Sequence, residues 1–173
     1  MAKKHEIKLI VTLANYWSDY GGIPRYLEWA GIKSDNPGVF FTDETAKKIY
    51  KDYVERFIME YKDDPTIFAW ELCNGPRYQG FGEDESSQTL RGWVDEMGAF
   101  IKNIDPNHLI SSGLEGQGTR YNYGWNAGND FVKIHESDYI DFCTAQMYPT
   151  DEDKAGRVLS IDETKGLLAA WIS

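Results

Sequence analysis

The sequence predicts an α/β fold in which parallel strands alternate with helices packed on the outer face of the sheet. Four short apolar runs predict the strands, at residues 7–13, 67–72, 109–112 and 140–148. Between them, longer segments repeat apolar residues every three or four positions, as amphipathic helices do. The segments after the strands are long and aromatic, whereas the returns at residues 63–65 and 105–107 are short. Because parallel α/β folds place function at the carboxyl ends of strands, this asymmetry indicates polymer binding on one face.

The predicted elements follow one another in a regular order along the chain. A polar, aromatic stretch follows the first strand, and Thr42, Asp43 and Glu44 predict a helix start with a capping hydroxyl and acids in the first turn. The apolar faces of the two long helices are Ile49, Tyr53, Phe57 and Tyr61 in the first and Leu90, Trp93, Val94, Met97 and Ile101 in the second. A brief helix is predicted near residues 130–136, and another over residues 161–172. The strand residues expected to be largely buried are Val11, Ile67, Phe68, Trp70, Leu109, Ile110 and Phe142.

Charge and composition exclude some partners. The 173 residues carry 28 acidic and 18 basic side chains, a formal net charge of −10. Nucleic acid and anionic membrane surfaces are therefore excluded as partners, because the chain would be repelled by phosphate. A neutral polysaccharide is not disfavoured. No run of about 18 apolar residues occurs, so no membrane span is predicted, and the N-terminal residues leave no room for a signal peptide.

The cysteines and histidines suggest neither a metal site nor a cofactor. Cys73 and Cys143 lie in or beside apolar runs without ligand spacing, which predicts two buried thiols. The three histidines, His5, His108 and His135, are isolated from one another and are interpreted as surface or turn residues.

One segment carries a family resemblance. Residues 70–77, Trp-Glu-Leu-Cys-Asn-Gly-Pro-Arg, resemble the W-E-L-x-N-E-P-R segment that ends the fourth barrel strand in family 5 glycoside hydrolases. Residues 15–31, 105–116, 123–126 and 140–149 resemble, in the same order, further segments of the endo-β-1,4-mannanase members. The resemblance implies one domain over residues 1–173, a partial (β/α)₈ TIM barrel with about four parallel strands, the third to the sixth. At 173 residues the chain is short for a complete barrel, which typically needs about 250.

The departures from the family pattern concern catalysis. Retaining glycosidases need two carboxyl groups about 5–5.5 Å apart, an acid/base and a nucleophile. Gly75 stands where the family has its acid/base glutamate, and the seventh strand that carries the nucleophile has no counterpart in this sequence. Gln146 replaces a family histidine, and its amide can form hydrogen bonds but cannot titrate. The resemblance therefore implies an inactive chain.

A partial binding surface remains by resemblance. Asn74 matches the asparagine that binds a sugar 2-hydroxyl, and Tyr148 the tyrosine that flanks the nucleophile. Trp17 and Trp125 match groups that line the mannan cleft, although a large aromatic beside a strand end is as often core cover. Glu115 matches a cleft carboxylate that could also replace the lost acid. Supporting roles are expected for two further residues: Glu71 inside the barrel strand, and Arg77 either in orienting its loop or in pairing with an acid.

Three functional interpretations follow. The first is a β-mannanase-derived chain, secreted by family resemblance, whose ligand is β-mannan or a mannooligosaccharide. The second is a non-catalytic mannan-binding module. The third is an association half whose barrel is completed by a second polypeptide carrying strands one, two, seven and eight. In addition, an open sheet leaves the first and last strands as apolar edges, which predicts self-association of two copies or aggregation.

Overall fold

The computed structural model of the chain describes residues 1–78, 83–116, 130–146 and 159–171. Within these ranges the strands are Leu9–Thr12 (β1), Ile67–Glu71 (β2) and Leu109–Ser111 (β3). The α-helices there are Gly22–Trp29 (α1), Glu44–Tyr61 (α2), Glu83–Ile104 (α3), Phe131–His135 (α4) and Ile161–Trp171 (α5). Short 3-10 helices span Ala2–His5, Asp19–Gly21 and Pro37–Phe41. Of the helices described, none is long and apolar enough to cross a membrane.

The strands form one parallel sheet in the order β1-β2-β3. Helix α2 leads from β1 to β2 and α3 leads from β2 to β3, so the predicted alternation of parallel strands and helices is confirmed. The pairing of β1 with β2 shifts by one residue, because Leu9 pairs with Ile67 while the next residue, Ile10, pairs with Ala69. Phe68 is therefore the extra residue of a β-bulge.

The core lies between the sheet and the inner faces of α2 and α3. Tyr50 of α2, Trp93 of α3 and Trp70 of β2 are each at most 1% exposed. Two of these side chains form buried hydrogen bonds. The Tyr50 hydroxyl donates to the carbonyl of Leu72 at 2.9 Å, and Trp70 Nε1 donates to Asp105 Oδ2 at 2.8 Å. These bonds satisfy polar groups that would otherwise destabilise a buried core.

The short return at residues 105–107 is organised by one carboxylate. Besides Trp70, Asp105 accepts hydrogen bonds from the backbone N–H groups of Asn107 and His108, at 3.0 and 3.2 Å. The His108 ring also lies 2.6 Å from its Oδ2. Burial by itself raises the pKa of Asp105, but these hydrogen bonds outweigh burial and lower it. His108 is thus a turn residue, as interpreted from the sequence.

Two local features differ from the sequence predictions. The start of α2 is capped by the Asp43 carboxylate, which accepts from the N–H of Ala46 at 2.9 Å, and not by a hydroxyl. Helix α1 was not predicted; it lies in the polar, aromatic stretch and buries Ile23, Tyr26 and Leu27 at helical spacing.

The predicted burial is only partly correct. Ile67, Trp70 and Ile110 are buried, and Val11, Leu109 and Phe142 are half-buried. Phe68, at the register shift between β1 and β2, is 46% exposed, so its predicted burial is wrong.

The fourth predicted strand is not formed over residues 140–146, although this segment runs beside β3. The backbone N–H of Asp141 donates to the carbonyl of Ile110 at 2.9 Å. Side chains along the segment alternate between exposed and half-buried, and Cys143 falls at an exposed position. The prediction of two buried thiols is therefore wrong for Cys143 and correct for Cys73.

Candidate functional site

Two asparagines lie side by side at the carboxyl ends of β1 and β2. Asn15 and Asn74 form a parallel bridge beyond the regular strands. The backbone N–H of Asn74 donates to the carbonyl of Ala14 at 2.9 Å, and the N–H of Tyr16 donates to the carbonyl of Asn74 at 3.0 Å. The Asn74 side chain adds a third link, with Nδ2 donating to Asn15 Oδ1 at 3.0 Å. The extended pairing fixes Asn74 at the sheet edge where α/β proteins bind ligands.

Gln146 approaches the same asparagine from the other side. Its Nε2 donates to Asn74 Oδ1 at 3.1 Å, and its backbone N–H donates to the carbonyl of Glu115 at 2.7 Å. The structure therefore brings together three of the residues that the sequence proposed for the site. Both donors of Gln146 in these bonds are neutral amide groups, which do not titrate.

Gly75 lies between Trp17 and Glu115. Its N–H donates to the carbonyl of Gly113 at 2.9 Å, which connects the ends of β2 and β3. The Gly75 backbone has φ +57°, in the left-handed region that glycine adopts without strain. A Cβ atom there would lie 3.2 Å from Trp17 Nε1 and 3.3 Å from Glu115 Cδ. Position 75 therefore has no carboxyl group, and Trp17 and Glu115 leave little space for a side chain there.

Glu115 forms a buried ion pair with Arg77. Arg77 donates from Nε and from Nη2 to Glu115 Oε2, at 2.7 and 2.6 Å. Of the two roles left open for Arg77, pairing with an acid is the one observed. The guanidinium group also lies over the Trp17 ring, with Cζ 4.9 Å from the centroid, a cation–π geometry. Trp17 is 37% exposed, so one part of the ring covers the ion pair and the rest faces solvent.

Burial perturbs the ionisation of two groups beside the site. Glu71, at the end of β2, accepts from the Thr12 hydroxyl at 2.8 Å. Burial raises the pKa of Glu71, although this hydrogen bond lowers it. Burial also holds the pKa of the Cys73 thiol well above its usual range. Burial therefore shifts both groups toward their neutral forms relative to the same groups in water.

A cleft of about 920 Å³ opens on the β1 side of Asn74. Its polar and aromatic lining includes Asn15, Asn74, Tyr20, Arg25, Tyr26 and Trp29. Among the described residues, Asn74 is thus the predicted site residue that lines the cleft, whereas Gly75 and the Arg77–Glu115 pair lie on its β3 side. Tyr148 and Trp125 lie outside the described residues, so their roles stay predictions.

Asn15 was not among the residues that the sequence predicted for the site. A usable signal existed, because Asn15 follows β1 as Asn74 follows β2, and the ends of neighbouring parallel strands meet at one edge. No group of three His, Cys, Asp or Glu side chains that could hold a metal ion occurs in the described part of the chain.

The parallel sheet, its outer helices and a site at the strand ends are features of (β/α)₈-barrel enzymes. The chain matches the family described as GH family 5 beta-mannosidase-like over residues 1–156, and it belongs to that family. The predicted family and the predicted barrel-type fold are therefore confirmed.

Individual relatives agree with this assignment. Mannan endo-1,4-beta-mannosidase 1 of Arabidopsis thaliana is 41% identical over 165 residues, which cover 86% of this chain and 39% of that protein. Mannan endo-1,4-beta-mannosidase 1 of Solanum lycopersicum is 37% identical, over 99% of this chain and 46% of that protein. The crystal structure of an endo-1,4-beta-mannanase from Rhizomucor miehei has a TM-score of 0.80 and 34% identity, over 98% of this chain and 52% of that chain. The chain thus spans about half the length of these relatives or less.

Proposed function

We propose that the chain is part of a retaining glycoside hydrolase that acts on β-1,4-mannan, and that it is inactive as it stands. The observation that carries the proposal is Gly75. It occupies the position of the family acid/base and has no side chain to transfer a proton. General acid–base groups contribute about 10²–10⁴-fold to rate, so their loss alone suppresses turnover strongly.

The carboxylate beside Gly75 is poorly suited to take over this role. Both hydrogen bonds from Arg77 converge on Oε2 of Glu115 and hold it in place. Proton transfer to a leaving group would have to compete with that ion pair. Residues 1–173 taken alone contain no segment that matches the strand that carries the family nucleophile, and a retaining enzyme needs both carboxyl groups.

The test is release of reducing sugar from galactomannan and from mannooligosaccharides, with an active family 5 mannanase as the positive control. We expect no release by the chain, nor by its Gly75→Glu variant, because the nucleophile is still lacking. Turnover by the unmodified chain would contradict the proposal. If turnover then disappeared in Glu115→Gln, the ion-paired glutamate would be the acid.

A second candidate function is a non-catalytic mannan-binding module, and the cleft beside Asn74 favours it. Clefts of several hundred cubic ångströms lined by aromatic rings and a few polar groups are typical ligand sites. Retardation of the chain in a mannan-containing gel, with no sugar released, would support this candidate. The retardation should decrease in Asn74→Ala and be unchanged in Asn103→Ala, which alters an exposed helical asparagine. Equal mobility with and without mannan would refute it.

The assembly proposal is self-association of two copies through their open sheet edges. Leu9 and Ile10 of β1 are 38% and 48% exposed, and an unpaired apolar strand is a template for further pairing. The segment at residues 140–146 lies beside β3 on the other side of the sheet without forming a strand, so β1 is the open edge on which the proposal rests. The net charge of −10 opposes association at low salt and is screened as salt rises.

Light scattering after size-exclusion chromatography tests this assembly across a dilution series at low and high salt. We expect a dimer favoured by concentration and by salt. Ile10→Lys should shift the chain to monomer, whereas Val132→Lys, at an exposed position on α4, should not. A monomer at all concentrations would rule out the assembly.

A further inference from the structure

Three side-chain amides form a directed chain of hydrogen bonds across the strand ends. Gln146 Nε2 donates to Asn74 Oδ1 at 3.1 Å, and Asn74 Nδ2 donates to Asn15 Oδ1 at 3.0 Å. Asn15 Nδ2 then donates to the backbone carbonyl of Asp19 at 3.3 Å. Each amide therefore donates in the same direction, from the β3 side of the site toward the loop after β1.

The direction of this chain is set by backbone groups around Asn15. The carbonyl of Asp19 can only accept, so it requires the Nδ2 end of Asn15. The backbone N–H of Trp17 can only donate, and it donates to Asn15 Oδ1 at 3.3 Å. A flipped Asn15 amide would place carbonyl against carbonyl and N–H against N–H. The two ends of Asn15 are consequently fixed by the fold.

The orientation of Asn74 follows from that of Asn15. Because Asn15 presents its oxygen, Asn74 must present Nδ2 to it and direct Oδ1 to Gln146. The Asn74 oxygen then accepts from the Gln146 amide. Nδ2 of Asn74 has two N–H groups, and the chain of hydrogen bonds described above involves one of them. Asn74 is half-buried and lines the cleft.

We propose that Asn15 is the positioning residue of the sugar site: it fixes the Asn74 amide so that Asn74 binds a mannooligosaccharide hydroxyl as a hydrogen-bond donor. The inference rests on the proposed mannan-binding function for its ligand, but the orientation of Asn74 is a property of the free protein. The ligand group that this orientation selects is a hydroxyl oxygen that accepts a hydrogen bond from Asn74 Nδ2.

The orientation is tested without ligand, by NMR of the whole chain labelled with ¹⁵N at asparagine and glutamine side chains. Asn74 Nδ2 and the Trp17 backbone N–H donate to the same oxygen of Asn15, so their protons lie close together. We expect a nuclear Overhauser effect between them. An effect from the Asn74 amide protons to the Gln146 side-chain amide, without one to Trp17, would show the flipped orientation and overturn the proposal.

The binding role is tested by mannohexaose titration of three variants. Asn15→Ala removes the acceptor and should weaken binding about 3- to 10-fold, since one hydrogen bond is typically worth about 0.5–1.5 kcal/mol. Asn15→Asp keeps an oxygen toward Asn74 and should retain binding within about threefold. Asn103→Ala is the matched control and should bind as the parent does.

The outcomes separate this proposal from the proposed function. If the parent does not bind mannohexaose, the mannan-binding function fails, while the NMR result still decides the orientation of Asn74. If the parent binds and a folded Asn15→Ala binds equally well, the positioning role fails and the function stands. If Asn15→Ala does not fold, Asn15→Asp decides the role, because binding lost in that folded variant would also contradict it.

Discussion

Substitution of Gly75 tests the geometry of the site most directly. Its φ of +57° lies in the left-handed region, where a residue with a Cβ is less stable than glycine by about 1–2 kcal/mol. The added Cβ would also lie 3.2 Å from Trp17 Nε1 and 3.3 Å from Glu115 Cδ, closer than ordinary van der Waals contact. Restriction of the unfolded chain offsets part of this loss, by about 0.4–1 kcal/mol. Backbone strain less this offset leaves about 0–1.6 kcal/mol, and the crowding adds to it, so we expect Gly75→Ala to lower the free energy of unfolding by about 1–2 kcal/mol.

Comparison of several side chains separates backbone strain from crowding. Asparagine tolerates the left-handed region better than alanine, so Gly75→Asn should recover part of the loss if its longer side chain can point away from Trp17. Gly75→Glu should be at least as unstable as Gly75→Ala, because it adds a second carboxylate near Glu115. The matched control is Gly92→Ala, on α3, where an added Cβ meets nothing within 4 Å. That helical substitution should stabilise the chain by about 0.5–1 kcal/mol.

Urea unfolding followed by tryptophan fluorescence measures these differences, provided that the dependence on urea is the same in all variants. For a chain of this size, a loss of about 1–2 kcal/mol also lowers the melting temperature by about 2–8 °C. If Gly75→Ala were as stable as the parent while Gly92→Ala behaved as expected, the left-handed conformation would not be required at this position. That result would refute the expectation that position 75 requires glycine.

Three further predictions concern other buried groups. Asp105→Ala leaves the buried Nε1–H of Trp70 without its acceptor and should cost about 1–3 kcal/mol in urea unfolding; an unchanged midpoint would contradict this. Burial raises the pKa of Glu71, so ionisation of this carboxyl reduces the stability of the parent as pH rises above about 4.3. The side-chain amide of Glu71→Gln does not ionise, so the melting temperature of this variant should rise relative to that of the parent between about pH 4.5 and 7. A constant difference across that range would show that this carboxyl is not perturbed. Burial lowers the pKa of His135, so stability should fall as pH decreases below about 6.5, and His135→Gln should remove that part of the decrease. Identical pH profiles for the two proteins would contradict it.

The hydrogen bonds of His135, which is half-buried, determine which of its ring nitrogens carries the proton. His135 Nδ1 must donate to the carbonyl of Phe131, 2.8 Å away, because a carbonyl only accepts. Its Nε2 is then the acceptor for the Ser112 hydroxyl at 2.7 Å. Protonation of the ring would place a second donor against that hydroxyl and break the present arrangement. His135 therefore lies half-buried in α4, not at the surface or in a turn as interpreted from the sequence, and we expect acid to destabilise the fold through it.

Local patterns in the sequence were sufficient for strands β1 to β3 and helices α2 to α5 and for their order, but not for α1 or for the fourth predicted strand. The apolar repeats of α2 and α3 and the apolar runs of β1 and β2 are local signals, because each depends on the pattern of a single helix or strand. The motif at residues 70–77 likewise identified the family, which the comparisons confirm. Helix α1 was missed because its buried residues, Ile23, Tyr26 and Leu27, occur in a short segment that is otherwise polar and rich in glycine.

The sequence could not determine which residues of separate strands and loops contact one another. The bulge at Phe68 depends on the register between two strands, and the partner of Arg77 is 38 residues away. The contact of Gln146 with Asn74 spans 72 residues, and that of Asn74 with Asn15 spans 59. The sequence by itself predicted that Asn74, Gly75, Glu115 and Gln146 belong to one site, and it shows that residue 75 has no carboxyl group. Only the tertiary structure decided that Asn15 orients Asn74 and that Gly75 is confined, because those facts depend on how separate strands meet in space.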